Sequence, residues 1–349
     1  MRESFENPYY QTGLNGLKLM PKDDATHVSA LLSKCPRHSA TPLIEMPELA
    51  RHIGVARLHV KDESNRMGLG SFKALGAAYA IACEAAGRVV ADRWSTALSG
   101  EVFITASAGN HGLSVAAGAR LFGAKAIIFL AETVPEPFAD RLRAIGADVV
   151  RSGATYEDSL VAAQTSADEG HGTLLSDGSW PDYTALPSRV MEGYLQLAVE
   201  VAEQIAEPPT HIFLQAGVGG LAAAVAAYSR SVWGSAPVIV VVEPDAAPAL
   251  IESMRAGAVV ETTGPVSDMG RLDCKTPSMV ALAGLARDAN VFMTITEEDA
   301  AQAVGVLASH GLTTTPSGGA GFAAALIGFA GMEADARVLV ILSEGAEDA

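Results

Sequence analysis

The sequence predicts an α/β protein of two lobes, with parallel-rich sheets covered by helices on both faces. From residue 102 onward, short apolar strands alternate with amphipathic helices, which is the pattern of βαβ units. The strands are continuously apolar, as is typical of parallel strands that helices bury on both faces. The 349 residues are enough for one large or two ordinary domains, and no low-complexity linker interrupts them. Because ligands in such folds gather at the carboxyl ends of strands, we expect a cleft there.

The elements follow from the apolar pattern and its turn residues. Early in the chain we predict a helix near 24–34, a short helix from Pro47, a strand at 57–61 and a helix at 72–86. The later predicted strands cover 102–106, 126–130, 148–150, 211–215, 238–242, 291–295 and 338–342. The later predicted helices cover 110–122, 136–145, 155–168, 187–205, 219–230, 246–255, 276–287, 297–309 and 319–329.

Composition and charge exclude several classes of protein. The formal net charge of −16 leaves no basic block that would bind nucleic acid. Cys35, Cys83 and Cys274 are scattered and odd in number, which favours neither a disulfide framework nor a zinc site. The eight histidines show no metal-ligand spacing, so we expect no metal. The N-terminus lacks an apolar signal segment and no window suits a membrane span, so we expect a cytoplasmic protein.

One lysine stands where a polar, glycine-containing loop at 62–72 meets a predicted helix. The partial positive charge at a helix N-terminus disfavours the ammonium of Lys73, so we expect a lowered pKa. An unprotonated amine is the form that makes a Schiff base with an aldehyde. The alternative is an ordinary solvated surface lysine, as most lysines are.

Two further loops run from a strand into a helix. The loop at 105–112 holds Ser107, Gly109, Asn110 and His111, and it presents a hydroxyl, an amide and backbone N–H groups that suit a carboxylate. An ordinary helix cap would need only one Ser or Asn. In the loop at 215–221, glycines allow phosphate oxygens close to a helix N-terminus.

The second of these loops leaves the type of phosphate open. It lacks the Gly-Lys-Ser/Thr ending of a Walker loop. It resembles a partial dinucleotide fingerprint, with Glu243 where a ribose-binding acid would lie, but Ala222 replaces the last glycine. A nicotinamide-dependent dehydrogenase is therefore an alternative of another class, although it leaves Lys73 unexplained.

Two side chains complete the candidate set. Ser343 follows the last strand, where its hydroxyl would face a ring nitrogen or lie in a surface turn. Asp177 lies in the loop at 176–183 and is either a base or part of a structural turn. An amine, a carboxylate loop, a phosphate loop and a terminal hydroxyl together fit pyridoxal 5′-phosphate acting on an amino acid.

The motifs resemble those of fold-type II pyridoxal-phosphate enzymes, the group of threonine dehydratase and the tryptophan synthase β subunit. More narrowly, the chain looks like the diaminopropionate ammonia-lyases. The stretches that carry this likeness are Cys35-Pro36, Thr41 to Leu43, Lys61 to Ser64, Gly68-Leu69, Phe72 to Gly76, Gly109 to Gly112, Asp177, Trp180, Tyr183, Pro187, Met191 to Tyr194, Gln215 to Gly219 and Val242 to Pro244.

The resemblance implies a role for each motif residue. Lys73 would hold the cofactor as a Schiff base and carry protons, and Asp177 would be the base for an L-substrate. The residues implied to bind the cofactor are Phe72, Lys73, Asn110 (at the phenolic oxygen), Gly217, Val218, Gly219, Gly220 and Leu221 (at the phosphate) and Ser343 (at the pyridine nitrogen). Those implied to bind the substrate carboxylate are Ser107, Ala108, Gly109 and His111. A neutral hydroxyl at the pyridine nitrogen favours β-elimination over transamination.

Two of the chain's departures from the ammonia-lyase pattern bear on the substrate. The family's second carboxylate, directly before Gly-Asn-His, is Ala108 here, which puts activity on a D-isomer in doubt. Arg271 and Lys275 occupy a stretch that is less basic in the ammonia-lyases. A second substrate carboxylate would explain both cations, although solvation of a helix edge is the commoner reason for such residues.

We expect an enzyme that removes a β-substituent from a small L-amino acid and yields a 2-oxo acid and ammonia. 2,3-Diaminopropionate is the first substrate considered. Serine, threonine or 3-hydroxyaspartate dehydration and β-replacement remain alternatives. We expect a large cofactor-binding domain of residues 1–78 and 168–349, and a small domain of residues 79–167 that carries the substrate-carboxylate loop. The resemblance also implies a homodimer.

Overall fold

The computed structural model describes residues 2–346 as an α/β protein with two sheets. The strands are β1 (Glu3–Glu6), β2 (Leu43–Glu45), β3 (Arg57–Asp62), β4 (Val102–Ala106), β5 (Lys125–Leu130), β6 (Asp148–Arg151), β7 (Thr173–Leu174), β8 (His211–Gln215), β9 (Val238–Pro244), β10 (Val291–Ile295) and β11 (Arg337–Leu342). The helices are α1 (Thr26–Leu32), α2 (Pro47–Ile53), α3 (Lys73–Ala86), α4 (Asn110–Leu121), α5 (Glu136–Ile145), α6 (Tyr156–Asp168), α7 (Ala185–Gln204), α8 (Gly220–Trp233), α9 (Ala249–Ala256), α10 (Met279–Asp288), α11 (Glu297–Ser309) and α12 (Ala320–Ile327).

The larger sheet has seven strands in the order β1-β10-β9-β8-β11-β3-β2. Its five inner strands are parallel, while β1 and β2 pair antiparallel at the two edges. Residues of β8 are buried throughout, as the continuous apolar run predicted. The carboxyl ends of β3, β8 and β11 therefore open on one edge of the sheet, where the lysine loop, the glycine loop and Ser343 begin.

The smaller sheet has four parallel strands in the order β6-β5-β4-β7. Because β7 pairs with β4, the smaller sheet extends to Leu174, whereas the predicted small domain ends at residue 167. The predicted start at residue 79 also divides α3, which begins at Lys73 and packs against both α4 and α7. Residues 1 and 347–349 of the predicted large domain lie outside the described part of the chain.

Two glycines allow α3 and α7 to approach closely, and this contact positions the lysine. A Cβ on Gly76 would lie 2.4 Å from Cε1 of Tyr194, and a Cβ on Gly193 would lie 2.6 Å from the carbonyl oxygen of Leu75. Neither backbone nor a buried ring gives way at such distances, so larger residues there would separate the helices. The contact brings Tyr194 against the first turn of α3.

Apolar side chains on both faces of the larger sheet form the core. Phe213, Phe292 and Phe322 are among the largest side chains that are fully buried. Within residues 2–346, no helix combines the length and the apolarity that a membrane crossing requires.

Candidate active site

The predicted lysine and the predicted base form one pair. Nζ of Lys73, at the first position of α3, donates a hydrogen bond to Oδ2 of Asp177, in the loop between β7 and α7. About a fifth of each side chain is exposed. The pair joins the start of α3 to a loop that lies 104 residues further along the sequence, so a surface location for Lys73 is wrong.

The expected lowering of the Lys73 pKa is also wrong for the chain alone. Burial lowers the pKa of the ammonium, but the facing carboxylate of Asp177 raises it more, and the net pKa lies above the usual range for lysine. Burial likewise raises the pKa of Asp177, but the charge of Lys73 lowers it further, so the carboxyl is ionised. The helix dipole, which the sequence argument used, is weaker than a charge in direct contact.

Aromatic rings form one wall beside the lysine. The Phe72 and Tyr194 rings meet edge to face with their centroids 4.9 Å apart. Nζ of Lys73 lies 5.4 Å from the centroid of Phe72 and 5.9 Å from that of Tyr194. Burial raises the pKa of Tyr194 to about 12, so its hydroxyl keeps its proton at neutral pH. The sequence analysis used Tyr194 only as a mark of the subfamily and gave it no role.

The loop after β4 is built around the hydroxyl of Ser107. Its Oγ accepts hydrogen bonds from the backbone N–H groups of Gly109 (3.2 Å) and Gly112 (3.1 Å). A Cβ on Gly112 would lie 2.9 Å from the carbonyl oxygen of Ser107, so glycine is needed for this turn. The helix α4 then begins at Asn110, where the first N–H groups lack partners within the helix. Such an end suits a carboxylate, and the binding of the substrate carboxylate here stays a prediction.

His111 is held as a neutral ring behind this loop. Its Nε2 lies 2.8 Å from the carbonyl oxygen of Leu175, so Nε2 carries the proton and donates it. Burial lowers the pKa of His111, and the charge of Asp177 only partly opposes this effect. Its Nδ1 is buried without a hydrogen-bond partner in the described part of the chain.

The glycine loop lies on the other side of the lysine. Gly219 precedes α8 with φ of +97°, a conformation that favours glycine, and it has no side chain to cap the helix. A Cβ on Gly217 would lie 2.9 Å from Sγ of Cys274, and a Cβ on Gly220 would lie 3.5 Å from the Tyr194 ring. The backbone N–H groups at the start of α8 thus face the site without obstructing side chains.

The segment after β11 closes the site. Ser343 is 5% exposed, so the alternative of a surface turn is wrong. Its carbonyl oxygen accepts from the N–H group of Phe72 at 3.0 Å, which places it directly beside the lysine. The next residue, Glu344, accepts hydrogen bonds from Nδ2 of Asn110 and from the hydroxyl of Thr315. The sequence analysis did not assign Glu344 a role, although it follows the same strand end.

The two cations in the stretch after residue 268 differ in their surroundings. NH1 of Arg271 donates to the carbonyl oxygen of Ala108 at 3.2 Å, so Arg271 reaches the carboxylate loop. Nζ of Lys275 donates to the carbonyl oxygens of Ala246 and Pro265 and to Asp273, at 2.9, 2.8 and 2.6 Å. These bonds use all three donors of the ammonium, and we therefore drop Lys275 from the proposed substrate contacts.

Glu243, the residue expected to bind a ribose in a dehydrogenase, has another task. Its two carboxyl oxygens accept from the N–H groups of Leu250 (2.7 Å) and Ile251 (2.9 Å) at the start of α9. The side chain is 1% exposed, and burial raises its pKa to about 8. A buried carboxyl group that caps a helix cannot face a ribose, so the dehydrogenase alternative loses its acidic residue.

The assembled site fits pyridoxal phosphate. An amine for the aldehyde, an amide at Asn110 and a hydroxyl at Ser343 lie around the lysine, each at the end of a different strand. Gly217 and Gly220 have no side chains, and an added Cβ would contact Cys274 or Tyr194. The N-terminus of α8 is therefore open to a phosphate. This donor set matches the aldehyde, phenolic oxygen, ring nitrogen and phosphate of the cofactor.

Comparison with known proteins agrees with this fit. Residues 35–344 match the model of the family described as pyridoxal-phosphate dependent enzyme. A diaminopropionate ammonia-lyase of Salmonella typhimurium is 34% identical over 295 residues, which are 79% of this chain and 70% of the relative.

Solved structures give the same result. The holo diaminopropionate ammonia-lyase of Escherichia coli superposes with a TM-score of 0.86 at 29% identity, covering 99% of this chain and 94% of that one. The same enzyme with an aminoacrylate–pyridoxal phosphate azomethine intermediate has a TM-score of 0.86 and 29% identity, covering 100% and 94%. The chain therefore belongs to the family of pyridoxal-phosphate dependent enzymes, with the fold-type II architecture, and within it to the ammonia-lyases that act by β-elimination.

Proposed function

We propose that the chain converts L-2,3-diaminopropionate and water to pyruvate and two molecules of ammonia. The observation that carries this proposal is the Lys73–Asp177 pair, because it puts a proton acceptor against the lysine that would carry the cofactor. The similarity to enzymes named diaminopropionate ammonia-lyase supports the choice of substrate. We expect the L-isomer, since the other carboxylate of the family pattern is replaced by Ala108.

The residues of the chain divide the work as follows. When bound, pyridoxal phosphate withdraws electrons from the α-carbon of the substrate and so makes its proton acidic. Oδ2 of Asp177 or Nζ of Lys73 accepts this proton, and their shared hydrogen bond lets either return it to the leaving group.

Binding and orientation fall to the loops. The N–H groups at the start of α4 would hold the substrate carboxylate together with Ser107, while those at the start of α8 would hold the phosphate. The buried His111 and the ring of Tyr194 exclude water from the side of the lysine.

A second candidate is the dehydration of a hydroxy-amino acid such as serine, threonine or 3-hydroxyaspartate. Ala108 favours it, because the loop from Ser107 to His111 looks like the dehydratase version. β-Elimination and β-replacement share the steps up to loss of the β-substituent. The assays below therefore also bear on a β-replacing synthase.

The test is an absorbance spectrum followed by assays of 2-oxo acid release. We expect a cofactor absorbance band that Lys73→Ala removes, and turnover of L- but not D-diaminopropionate. Turnover of hydroxy-amino acids alone would replace the substrate and keep the cofactor. No band after addition of pyridoxal phosphate would contradict the whole proposal.

We further infer that the enzyme is a cytoplasmic homodimer. The likeness to the fold-type II group supports the dimer, and the free thiols of Cys35, Cys83 and Cys274 are typical of a reducing compartment such as the cytoplasm. Light scattering on a size-exclusion column should give twice the mass of 36.0 kDa, and a monomer would contradict the inference.

A further inference from the structure

The side chain of Glu344 links the helix that follows β4 to the end of β11. Its Oε2 accepts a hydrogen bond from Nδ2 of Asn110, the first residue of α4. Its Oε1 accepts from the hydroxyl of Thr315, in the segment before α12. Glu344 is 5% exposed. Its carboxyl group is therefore a buried acceptor on which donors from two distant segments converge.

The backbone of Glu344 is held in place by its neighbours. Its carbonyl oxygen accepts from the hydroxyl of Thr314 at 2.6 Å, and the residue pairs with Ser71 in an antiparallel bridge. A Cβ on Gly318 would lie 2.9 Å from Cγ of Glu344, so the glycine makes room for the side chain. Contacts with both neighbouring segments thus fix where the carboxyl group lies.

The amide of Asn110 is oriented by this carboxyl group. A carboxylate only accepts hydrogen bonds, so the nitrogen of the amide and not its oxygen faces Glu344. Without such a partner the amide would rotate freely, because χ2 of asparagine has a broad distribution. Asn110 lines a cavity of about 420 Å³ beside the lysine loop. The bond to Glu344 therefore sets the direction in which the second N–H group of the amide points.

We propose that Glu344 is the positioning residue of Asn110 in cofactor binding. It takes one N–H group of the amide and thereby directs the other to the phenolic oxygen of pyridoxal phosphate, the contact that the resemblance implies for Asn110. The inference rests on the proposed function, because it assigns a residue to support a predicted cofactor contact. Glu344 accepts a hydrogen bond in this role and transfers no proton.

The position of Glu344 in the chain connects this amide to the lysine. The preceding residue, Ser343, accepts a hydrogen bond through its carbonyl oxygen from the N–H group of Phe72 at 3.0 Å, and Phe72 directly precedes Lys73. The end of β11 therefore supports both the start of the lysine helix and, through Glu344, the amide at the start of α4.

The test compares Glu344→Leu with Glu344→Gln. Leucine is of similar size and accepts no hydrogen bond. Glutamine keeps an oxygen for Nδ2 of Asn110, and its NH2 group can donate to the hydroxyl of Thr315, which can rotate to accept. We expect Glu344→Leu to raise the dissociation constant of pyridoxal phosphate by about three- to tenfold, and Glu344→Gln to stay within about twofold of the wild type. The phenolic oxygen belongs to the chromophore, so Glu344→Leu should also shift the absorbance band.

A double-mutant cycle separates positioning from a general structural role. Asn110→Ala removes the amide, so adding Glu344→Leu to it should change neither the dissociation constant nor the band any further. Tyr79→Phe is the matched control for the loss of one buried hydrogen bond, since the Tyr79 hydroxyl lies 2.7 Å from Nδ1 of His27. It should lower the urea midpoint of the chain without cofactor and leave the cofactor affinity and the band unchanged.

Several results would overturn the inference. Wild-type affinity and an unshifted band in Glu344→Leu would do so, as would an equal loss of affinity in Tyr79→Phe. A full further loss on adding Glu344→Leu to Asn110→Ala would show that Glu344 acts without the amide. Glu344→Gln as weak as Glu344→Leu would assign the effect to charge. In each case the wild-type band and turnover leave the proposed function intact, whereas a wild-type protein without a cofactor band would remove both.

Discussion

At the scale of single residues, the site depends on a charge pair between Lys73 and Asp177. In the chain alone, each side chain shifts the pKa of the other away from neutral, so the pair is an ammonium and a carboxylate until Lys73 binds the cofactor. The Cys274 thiol lies near both charges, and burial raises its pKa to about 12. A protonated thiol competes neither as a nucleophile nor as a base.

Asp177→Asn tests the role of the carboxylate. The amide keeps the size of the side chain but cannot accept the α-proton, so we expect kcat to fall by about 10²- to 10⁴-fold. Lys73 should still bind the cofactor, and the absorbance band should remain. The measurement is steady-state turnover of L-diaminopropionate beside the spectrum. Unchanged turnover would assign the proton transfer to Lys73 alone.

The sequence predicted which residues meet at the site better than it predicted their charge states. Motifs at the ends of strands identified Lys73, Asn110, Gly219 and Ser343, because parallel strands bring their carboxyl ends together. The pKa of Lys73 could not be predicted from its helix, since the dominant charge comes from a loop 104 residues away.

At the scale of elements, the glycine loop before α8 requires glycine at position 219 for its backbone conformation. Gly219→Ala puts a Cβ at φ of +97° and 3.1 Å from Cβ of Ala281. We expect a loss of about 1–2 kcal/mol in the free energy of unfolding and weaker binding of pyridoxal phosphate, measured by urea denaturation and cofactor titration.

The control for this change is Gly305→Ala. Gly305 lies inside α11, and nothing lies within 4 Å of an added Cβ. Alanine should stabilise the protein there by about 0.5–1 kcal/mol without affecting the cofactor. Equal cofactor affinities in both variants would contradict the phosphate role of the loop.

Because Glu243 caps α9 from a buried position, its protonation makes the free energy of unfolding depend on pH. Its pKa is about 8 in the folded chain against 4.5 for a free carboxyl, so the folded state binds a proton more tightly than the unfolded state. The stabilisation that protonated Glu243 adds to the folded state is fully present below about pH 4.5 and is lost as the pH rises through about 8.

Denaturation across this pH window measures the effect. Glu243→Gln, which has no carboxyl proton to lose, should show a flatter decline of the unfolding free energy between pH 5 and 8. The exposed Glu261→Gln should follow the wild type. Parallel declines for the wild type and Glu243→Gln would show that Glu243 is already ionised at low pH.

The long elements were predicted to within a few residues, whereas three short strands were missed. β1 is the polar segment Glu3–Glu6, and β7 has only two residues. Their strand character comes from pairing with β10 and β4 and not from an apolar pattern of their own. Because β7 was missed, the sequence analysis did not assign residues 173–174 to the smaller sheet.

At the scale of the whole molecule, a buried ionic network anchors the lysine loop to α7. Arg66, fully buried, donates to Glu63 and Glu200, while Lys61 on β3 donates to the same Glu200 at 2.7 Å. Thr41 joins them by donating to Glu63 at 2.5 Å. The network connects the edge of the larger sheet, the segment before it and the helix that carries Tyr194.

Removing the central arginine should therefore be costly. Arg66→Met leaves two buried carboxylates without their shared partner, and we expect a loss of about 3–5 kcal/mol in the free energy of unfolding. Arg143→Met breaks only solvent-exposed pairs and should change stability far less. Chemical denaturation of both variants provides the comparison, and equal losses would contradict a structural role for the network.

The central claim is that Lys73 is the residue that carries pyridoxal phosphate, and borohydride reduction tests it most directly. Borohydride fixes the cofactor to its lysine, and peptide mass mapping then identifies that residue. We predict a pyridoxyl phosphate group on Lys73 in the wild type and none in Lys73→Ala. A label on another lysine, or no label on a protein saturated with cofactor, would contradict the account.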